Sequence, residues 1–310
     1  MKKKSIFIDY LFLLRPTIQV ALWTFYFIGV YLGYRDYKEL KVLNFNFDFK
    51  VYYVLFAYSL LMGGIYILNQ ITDIETDRLN KKLFLLPEGI ISVKNAYITF
   101  VIVVLVGFTM VFFNFRVQKT IIVLFIISFI MGYLYSAKPF YFKSRPFLDL
   151  FSNVVGYAFV ASLIGYLSVN DSIPNFTIFL PYIFSMAAIF INTTILDYEG
   201  DKIVGLKTTG IFLGIKSSLI LSTIFMLLAF IFGFYYKDFL AIITTSYSLI
   251  FFIISLIFRK EKFIKWSVMY TSPFVSFSLG IIFPYFLILC ALTLVISIIY
   301  YKERFKYNII

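Results

Sequence analysis

The chain has 310 residues, of which 61% are hydrophobic, 22% aromatic and only 14% charged, with a net charge of +12 and a mean hydropathy of +0.91. Soluble domains carry about 45–50% apolar and about 25% charged residues. Surface-to-volume scaling leaves a water-soluble fold of this length no room to hide the excess, so secreted, fibrous and disordered classes are excluded and a polytopic membrane protein remains.

Histidine is absent and cysteine occurs once, at Cys290. His- or Cys-ligated zinc, haem, iron–sulfur clusters, disulfides and imidazole acid–base chemistry are therefore excluded. Cys290 lies in an apolar run and is expected as packing filler. The positive charge is expected to orient cytoplasmic loops rather than to bind nucleic acid.

The first residues, MKKKSIFIDYLFLLRP, contain no small-residue cleavage site, and Asp9 and Arg15 interrupt the apolar stretch. A retained, interfacial amphipathic segment is expected there rather than a cleaved signal. A spanning helix needs about 20 mostly apolar residues. Nine such runs follow, near 17–34, 51–72, 95–115, 120–136, 148–168, 175–196, 217–236, 239–258 and 276–300, with a more polar stretch, 266–273, ahead of the ninth. The expected fold is an all-α membrane protein, a single domain over 1–310, built as a bundle of nine transmembrane helices with its active-site loops on the cytoplasmic side.

With the N-terminus cytoplasmic, 18 of the 28 Lys and Arg residues fall on that side, as the positive-inside rule requires. The loop at 35–50 and the C-terminal tail then carry positive charge on the opposite side. The polar segments NQITDIETDRLNKK, YSAKPFYFKSRPFLD and LDYEGDKIVGLKTT share the cytoplasmic face, whereas the outer loops at 169–174 and 237–238 are short and nearly featureless.

Two of those segments read D-x-E-x-D: Asp73, Glu75 and Asp77 after the second span, and Asp197, Glu199 and Asp201 after the sixth. At i, i+4 spacing Asp73 and Asp77 share a helical face that Asn69 extends one turn deeper; Asp197 and Asp201 form the matching stripe above Thr193. Glu75 and Glu199 point elsewhere. Acids at a helix C-terminus oppose the dipole, and acids near hydrocarbon are costly, so both stripes call for a cation. All-oxygen ligands select a hard ion, Mg²⁺ above all, which keeps positions open for substrate phosphates. The plainer alternative is ordinary loop acids paired with neighbours, such as Asp77 with Lys81.

These residues resemble the motifs of the UbiA superfamily of intramembrane prenyltransferases. Its N-D-x-x-D-x-x-x-D motif is matched by Asn69 to Asp77, and its D-x-x-x-D motif by Asp197 to Asp201. Gly205 and Thr208 continue the second motif, Arg15-Pro16 resembles the Arg-Pro ahead of the first helix, and Tyr135-Ser136 with Lys138 and Arg145-Pro146 resembles the loop after the fourth. The match covers residues 15 to about 215. Two departures stand out: Gln70 replaces an Asp, and Asn80 to Gly89 lacks the Arg-Pro of the family's N-K-P-x-R-P-x-x-S-G.

The resemblance implies Mg²⁺-dependent transfer of a prenyl group from an allylic diphosphate to a lipophilic acceptor, a quinone-precursor aromatic, an isoprenoid or a lipid, within the membrane and without nucleic acid. It implies that Asn69, Asp73, Asp77, Asp197 and Asp201 hold Mg²⁺ against the diphosphate, that Lys138, Arg145, Lys202 and Arg15 contact phosphate, and that Tyr135, with Tyr198, steadies the allylic cation. Asp149 and Asn153, one turn apart, are expected either to line the acceptor side or to make an interhelical hydrogen bond. The rival class is a transporter or lipid-binding membrane protein whose two acidic clusters form a cation site.

Overall fold

The computed structural model describes residues 4–36, 43–79, 83–114 and 117–307. These residues contain helices and turns and no strand. In chain order the helices are α1 (Phe7–Leu13), α2 (Pro16–Asp36), α3 (Phe49–Thr72), α4 (Ile74–Leu79), α5 (Val93–Phe112) and α6 (Lys119–Ser136). Then come α7 (Leu148–Asn153) and α8 (Ser162–Val169), joined by a π-helical stretch, Val154–Ala161, and α9 (Leu180–Leu196) and α10 (Tyr198–Ile203). The chain continues through α11 (Thr209–Tyr235), α12 (Phe239–Phe258), α13 (Glu261–Met269), α14 (Thr271–Ile282) and α15 (Pro284–Phe305). Nine helical stretches among the described residues are long and apolar enough to cross a membrane, as expected. Boundary residues follow capping chemistry: Asp48 accepts from the Lys50 and Val51 amides ahead of α3, Ser92 caps α5, and prolines open α2, α9 and α15.

Contacts divide the chain into two units, one of Met1–Trp23, Phe45–Phe140 and Phe283–Ile310, the other of Thr24–Asn44 and Tyr141–Ile282. In the first, α3 is buried along much of its length. It meets α5 where Gly107 lets the backbones close: a Cβ there would stand 2.9 Å from the Ala57 carbonyl oxygen. α1 packs Phe12 and Leu13 into a core with Ile67, the loop residues Leu85, Leu86, Ile90 and Ile91, and Tyr300.

α15 corrects the expected direction of the last span. Its first turn places Tyr285 against Phe45 and Phe47, just ahead of α3. Its last turns stack Tyr300 on Phe12 of α1, with ring centroids 3.6 Å apart. The Tyr300 hydroxyl donates to Asp9 (2.7 Å), and Arg304 pairs with the same carboxylate (2.9 Å). The end of α15 therefore stands on the side of the N-terminal segment. Lys302, Arg304 and Lys306, expected on the opposite side, come with it. The last long apolar helix begins at Pro284, not near residue 276.

The second unit contains a passage that hydropathy does not mark. α12 starts at Asp238, which is joined to Arg35 near the end of α2. After α12, the broken pair α13–α14 runs back, so that Ile281 and Ile282 accept hydrogen bonds from the Leu43 and Asn44 amides, again beyond the end of α2. The hydropathy scan passes over this stretch because Glu261, Lys262 and Lys265 and the turn at Tyr270 interrupt it. Elsewhere in the unit, α2 crosses α8 at the closest contact of the glycines: a Cβ on Gly29 would lie 1.7 Å from the Ser162 carbonyl oxygen, and one on Gly165 would lie 1.9 Å from that of Tyr26.

The loop at 237–238, expected to be nearly featureless, is not. Asp238 is fully buried, accepts from the Tyr31 and Tyr182 hydroxyls (3.0 and 2.9 Å) and the Ala241 amide, and pairs with Arg35 at 3.1 Å. Nearby, Asn170 donates to Tyr166, whose hydroxyl donates to Asp36. The misplaced positive charge of Arg35 thus has a buried partner.

Candidate active site

The two acidic motifs share one main-chain design. α3 ends at Asp73 (φ −108°, ψ 9°) and α4 begins at the next residue; α9 ends at Asp197 (φ −92°, ψ 3°) and α10 begins at the next. Both aspartates sit in the sparsely populated bridge region that recurs at functional sites. Their carbonyls accept from the Asp77 amide (2.8 Å) and the Asp201 amide (2.9 Å). The expected continuous stripe on one helix is corrected accordingly. Each helix breaks at its first aspartate, and the later acids fall in the first turn of a new short helix, where the dipole favours rather than opposes them.

In the first unit, Asn69 is half-buried in the last turn of α3, and its Nδ2 reaches Ser136 Oγ at 3.5 Å. That contact sets the end of α3 beside the end of α6, where Tyr135 is half-buried and Lys138 exposed. Asp73 and Asp77 are half-buried. Arg15, also half-buried, occupies the α1–α2 junction in a left-handed conformation (φ 56°). Glu75 is turned away as expected: it pairs with Arg78 at 2.8 Å in solvent, and Arg78 also donates to the Pro87 carbonyl. The alternative pairing of Asp77 with Lys81 falls outside the described residues.

Both departures from the motif pattern have structural partners. Gln70 is buried, and its Nε2 donates to the carbonyls of Leu13 (2.8 Å) and Tyr66 (3.1 Å), tying α3 to the α1–α2 junction. A carboxylate has no hydrogen for either bond. Phe84, where the resemblance places the missing arginine, stacks on Phe305 of α15 at 4.9 Å and meets Tyr307 edge-on. The loop has exchanged a cation for packing against the last helix.

In the second unit, Asp197 is exposed and Asp201 half-buried. α10 ends in a Schellman turn: the Gly205 amide donates to Lys202, and the Leu206 amide donates to the Asp201 carbonyl (2.9 Å). Gly205 has φ +74°, which explains the glycine at this motif position. Lys202 is exposed, its ammonium 6.0 Å from the Tyr198 ring centroid. Arg145 is exposed on the loop ahead of α7. In that loop Lys143, which sequence reasoning left out, is buried with its ammonium 4.7 Å from the Tyr141 ring centroid. Its neighbours are aromatic and a loop lysine looks like any positive-inside charge, so no sequence signal sets it apart.

Asp149 takes the interhelical hydrogen bond, whereas Asn153 bonds within its own helix. Asp149 is buried, and its carboxylate accepts from the Thr209 amide (2.7 Å), the Thr209 hydroxyl and the Leu150 amide (2.8 Å). Asn153 donates back to the Asp149 carbonyl. Cys290 is buried, as expected of filler.

Both motifs offer only carboxylate and carboxamide oxygens, a hard-ion donor set of the kind that suits Mg²⁺. Among the described residues, no three or more acidic or cysteine side chains gather closely enough to chelate a metal unaided.

The fold and the paired motifs define a polytopic, all-helical membrane protein with two acidic helix breaks. Residues 22–269 match the model of the UbiA prenyltransferase family, and the chain belongs to that family. Digeranylgeranylglyceryl phosphate synthase of Sulfurisphaera tokodaii is 27% identical over 217 residues, 67% of this chain and 72% of that one. A probable chloroplastic homogentisate phytyltransferase 2 of Oryza sativa subsp. japonica is 32% identical over 129 residues, which span 41% of this chain and only 31% of the rice protein. Among solved structures, a UbiA homologue from Archaeoglobus fulgidus bound to GPP and Mg²⁺ superposes with a TM-score of 0.64 at 22% identity, covering 88% of this chain and 99% of that one. α15 lies beyond the residues matched by the family.

Proposed function

We propose that the chain works as a single domain that transfers a prenyl group from an allylic diphosphate to a lipophilic acceptor at the cytoplasmic face of a membrane. The observation that carries this reading is the repeated helix break, Asp73 with Asp77 and Asp197 with Asp201, in a chain of the prenyltransferase family. Membership in that family favours the enzyme over the transport alternative. The archaeal homologue bound to GPP and Mg²⁺ supports the choice of donor and ion.

Asn69, Asp73 and Asp77 in one unit, and Asp197 and Asp201 in the other, are assigned to Mg²⁺ binding. The ion supplies neutralisation of charge on the departing diphosphate. Lys138, Arg145, Lys202 and Arg15 contact the phosphate oxygens and favour breaking of the C–O bond, whose electron pair leaves on the diphosphate oxygen. Tyr135 and Tyr198 offer ring faces to the positive charge left on the allylic carbon. The acceptor's nucleophilic atom bonds to that carbon and gives its proton to water. The apolar helices keep the prenyl chain and the acceptor in the lipid phase.

The test is reconstitution in lipid nanodiscs with radiolabelled geranylgeranyl diphosphate and one acceptor from each class: a hydroxylated aromatic acid, a polyprenyl chain and a glycerol lipid. A labelled lipophilic product that needs Mg²⁺ and disappears with EDTA supports the reading. No product from any class counts against it.

A further inference from the structure

The loop between α6 and α7 is sewn to the start of α11 by side chains for which the transfer reaction has no direct use. Ser144 Oγ accepts from the Lys207 amide at 3.3 Å. Thr209 Oγ1 accepts from the Phe147 amide at 2.8 Å and donates to Asp149, while the Thr209 amide donates to the other carboxylate oxygen of Asp149 at 2.7 Å. Asp149 and Thr209 are 1% and 0% exposed. The hydroxyl of Thr209 thus spends its one hydrogen on Asp149 and a lone pair on Phe147, and no other natural side chain except serine offers both at that reach.

What the knot holds is the main chain around Arg145. The Arg145 carbonyl accepts from the Leu148 amide and from the amide of Asp149 itself, both at 3.1 Å. Phe147 is held at φ 66°, a left-handed conformation that a bulky residue keeps only when its surroundings enforce it. Its amide bond to Thr209 and the edge-on contact of its ring with Phe212 of α11, at 5.5 Å, are that enforcement. On the other side of the knot, four residues before Thr209, lies the Gly205 turn that ends the Asp197–Asp201 motif.

We propose that Asp149 and Thr209 are positioning residues, a buried carboxylate–threonine clasp that holds the Arg145 turn in register with the second acidic motif so that Arg145 is presented to the substrate diphosphate. This rests on the assignment of Arg145 to diphosphate contact. The clasp acts through Arg145 alone, so its effect on binding depends on the arginine being there.

The experiment is a double-mutant cycle on the full-length protein in nanodiscs. It measures the Kd for geranylgeranyl thiolodiphosphate, a non-hydrolysable donor, at saturating Mg²⁺, together with the melting temperature of each variant. Thr209→Val keeps the shape and removes the hydroxyl; Thr209→Ser restores it. Expected is a loss of about tenfold in affinity for Thr209→Val, recovery to within about twofold for Thr209→Ser, and a loss below about twofold when Thr209→Val is made on Arg145→Ala, the coupling expected of groups acting as one unit. Equal losses on both backgrounds, or none on the wild-type background, overturn the proposal. If Thr209→Val does not fold, Asp149→Asn takes its place with the same two expectations. If the wild-type protein itself binds no analogue, the assignment of diphosphate binding falls first and the clasp with it, an outcome distinct from bound analogue with no coupling.

Discussion

Asp238 carries the sharpest residue-scale expectation. Four partners converge on a fully buried carboxylate, and removing one member of such a set leaves the others buried and charged or unpaired. Asp238→Ala should lower stability by roughly 3–5 kcal/mol, read as a shift in chemical denaturation. Donor binding per folded molecule should be unchanged, because none of these groups is assigned to the site. Gln70 gives the opposite kind of expectation. Restoring an acid at this position with Gln70→Asp should cost about 1–3 kcal/mol through the lost bonds to Leu13 and Tyr66, and Mg²⁺ titration should show no gain in affinity. The sequence alone presents Gln70 as a weakened motif, because the Leu13 carbonyl becomes its neighbour only when α1 folds against α3.

At the scale of elements, hydropathy is a local property, and so seven of the nine predicted runs lie within a few residues of the observed helices, the exceptions being the late start of α15 and the early start of α11. There Gly214, at φ +72°, kinks the helix and lets it begin at Thr209 rather than near residue 217. The acidic motifs were legible as paired clusters from spacing alone. Their helix breaks were not, since D-x-E-x-D fits a continuous helix as well as a broken one and only the main-chain angles at Asp73 and Asp197 decide. The crossing of α2 and α8 is another tertiary fact. With carbonyl oxygens under 2 Å from where the new Cβ would sit, Gly29→Ala or Gly165→Ala should cost more than the about 1–3 kcal/mol usual for overpacking, since a backbone cannot step aside as a side chain can. The yield of monodisperse protein after detergent extraction is the measurement, and near-normal yield for both variants would contradict the contact.

For the whole molecule, the direction of the last helix changes the charge map. Under the N-in orientation expected from the sequence, Lys302, Arg304 and Lys306 on the side of the N-terminal segment would bring the positive-inside count from 18 to 21 of 28 Lys and Arg. Labelling with a membrane-impermeant maleimide should find Ser5→Cys and Lys306→Cys, each in a Cys290→Ser background, reactive from the same side of sealed vesicles. Hydropathy does not reveal the return passage, α13–α14, because Glu261, Lys262 and Lys265 open it with charge and the turn at Tyr270 divides it.

The proposed function requires each helix-break motif, Asp73 with Asp77 and Asp197 with Asp201, for Mg²⁺-dependent binding of an allylic diphosphate. The most direct measurement is calorimetric titration of geranylgeranyl thiolodiphosphate into the protein in nanodiscs, with Mg²⁺ and with EDTA, for wild type, Asp73→Asn and Asp197→Asn. Saturable binding is expected only with Mg²⁺, with a loss of at least about tenfold, or roughly 1.4 kcal/mol, for each single substitution. Binding that is indifferent to Mg²⁺, or that survives both substitutions unchanged, would contradict the proposed function.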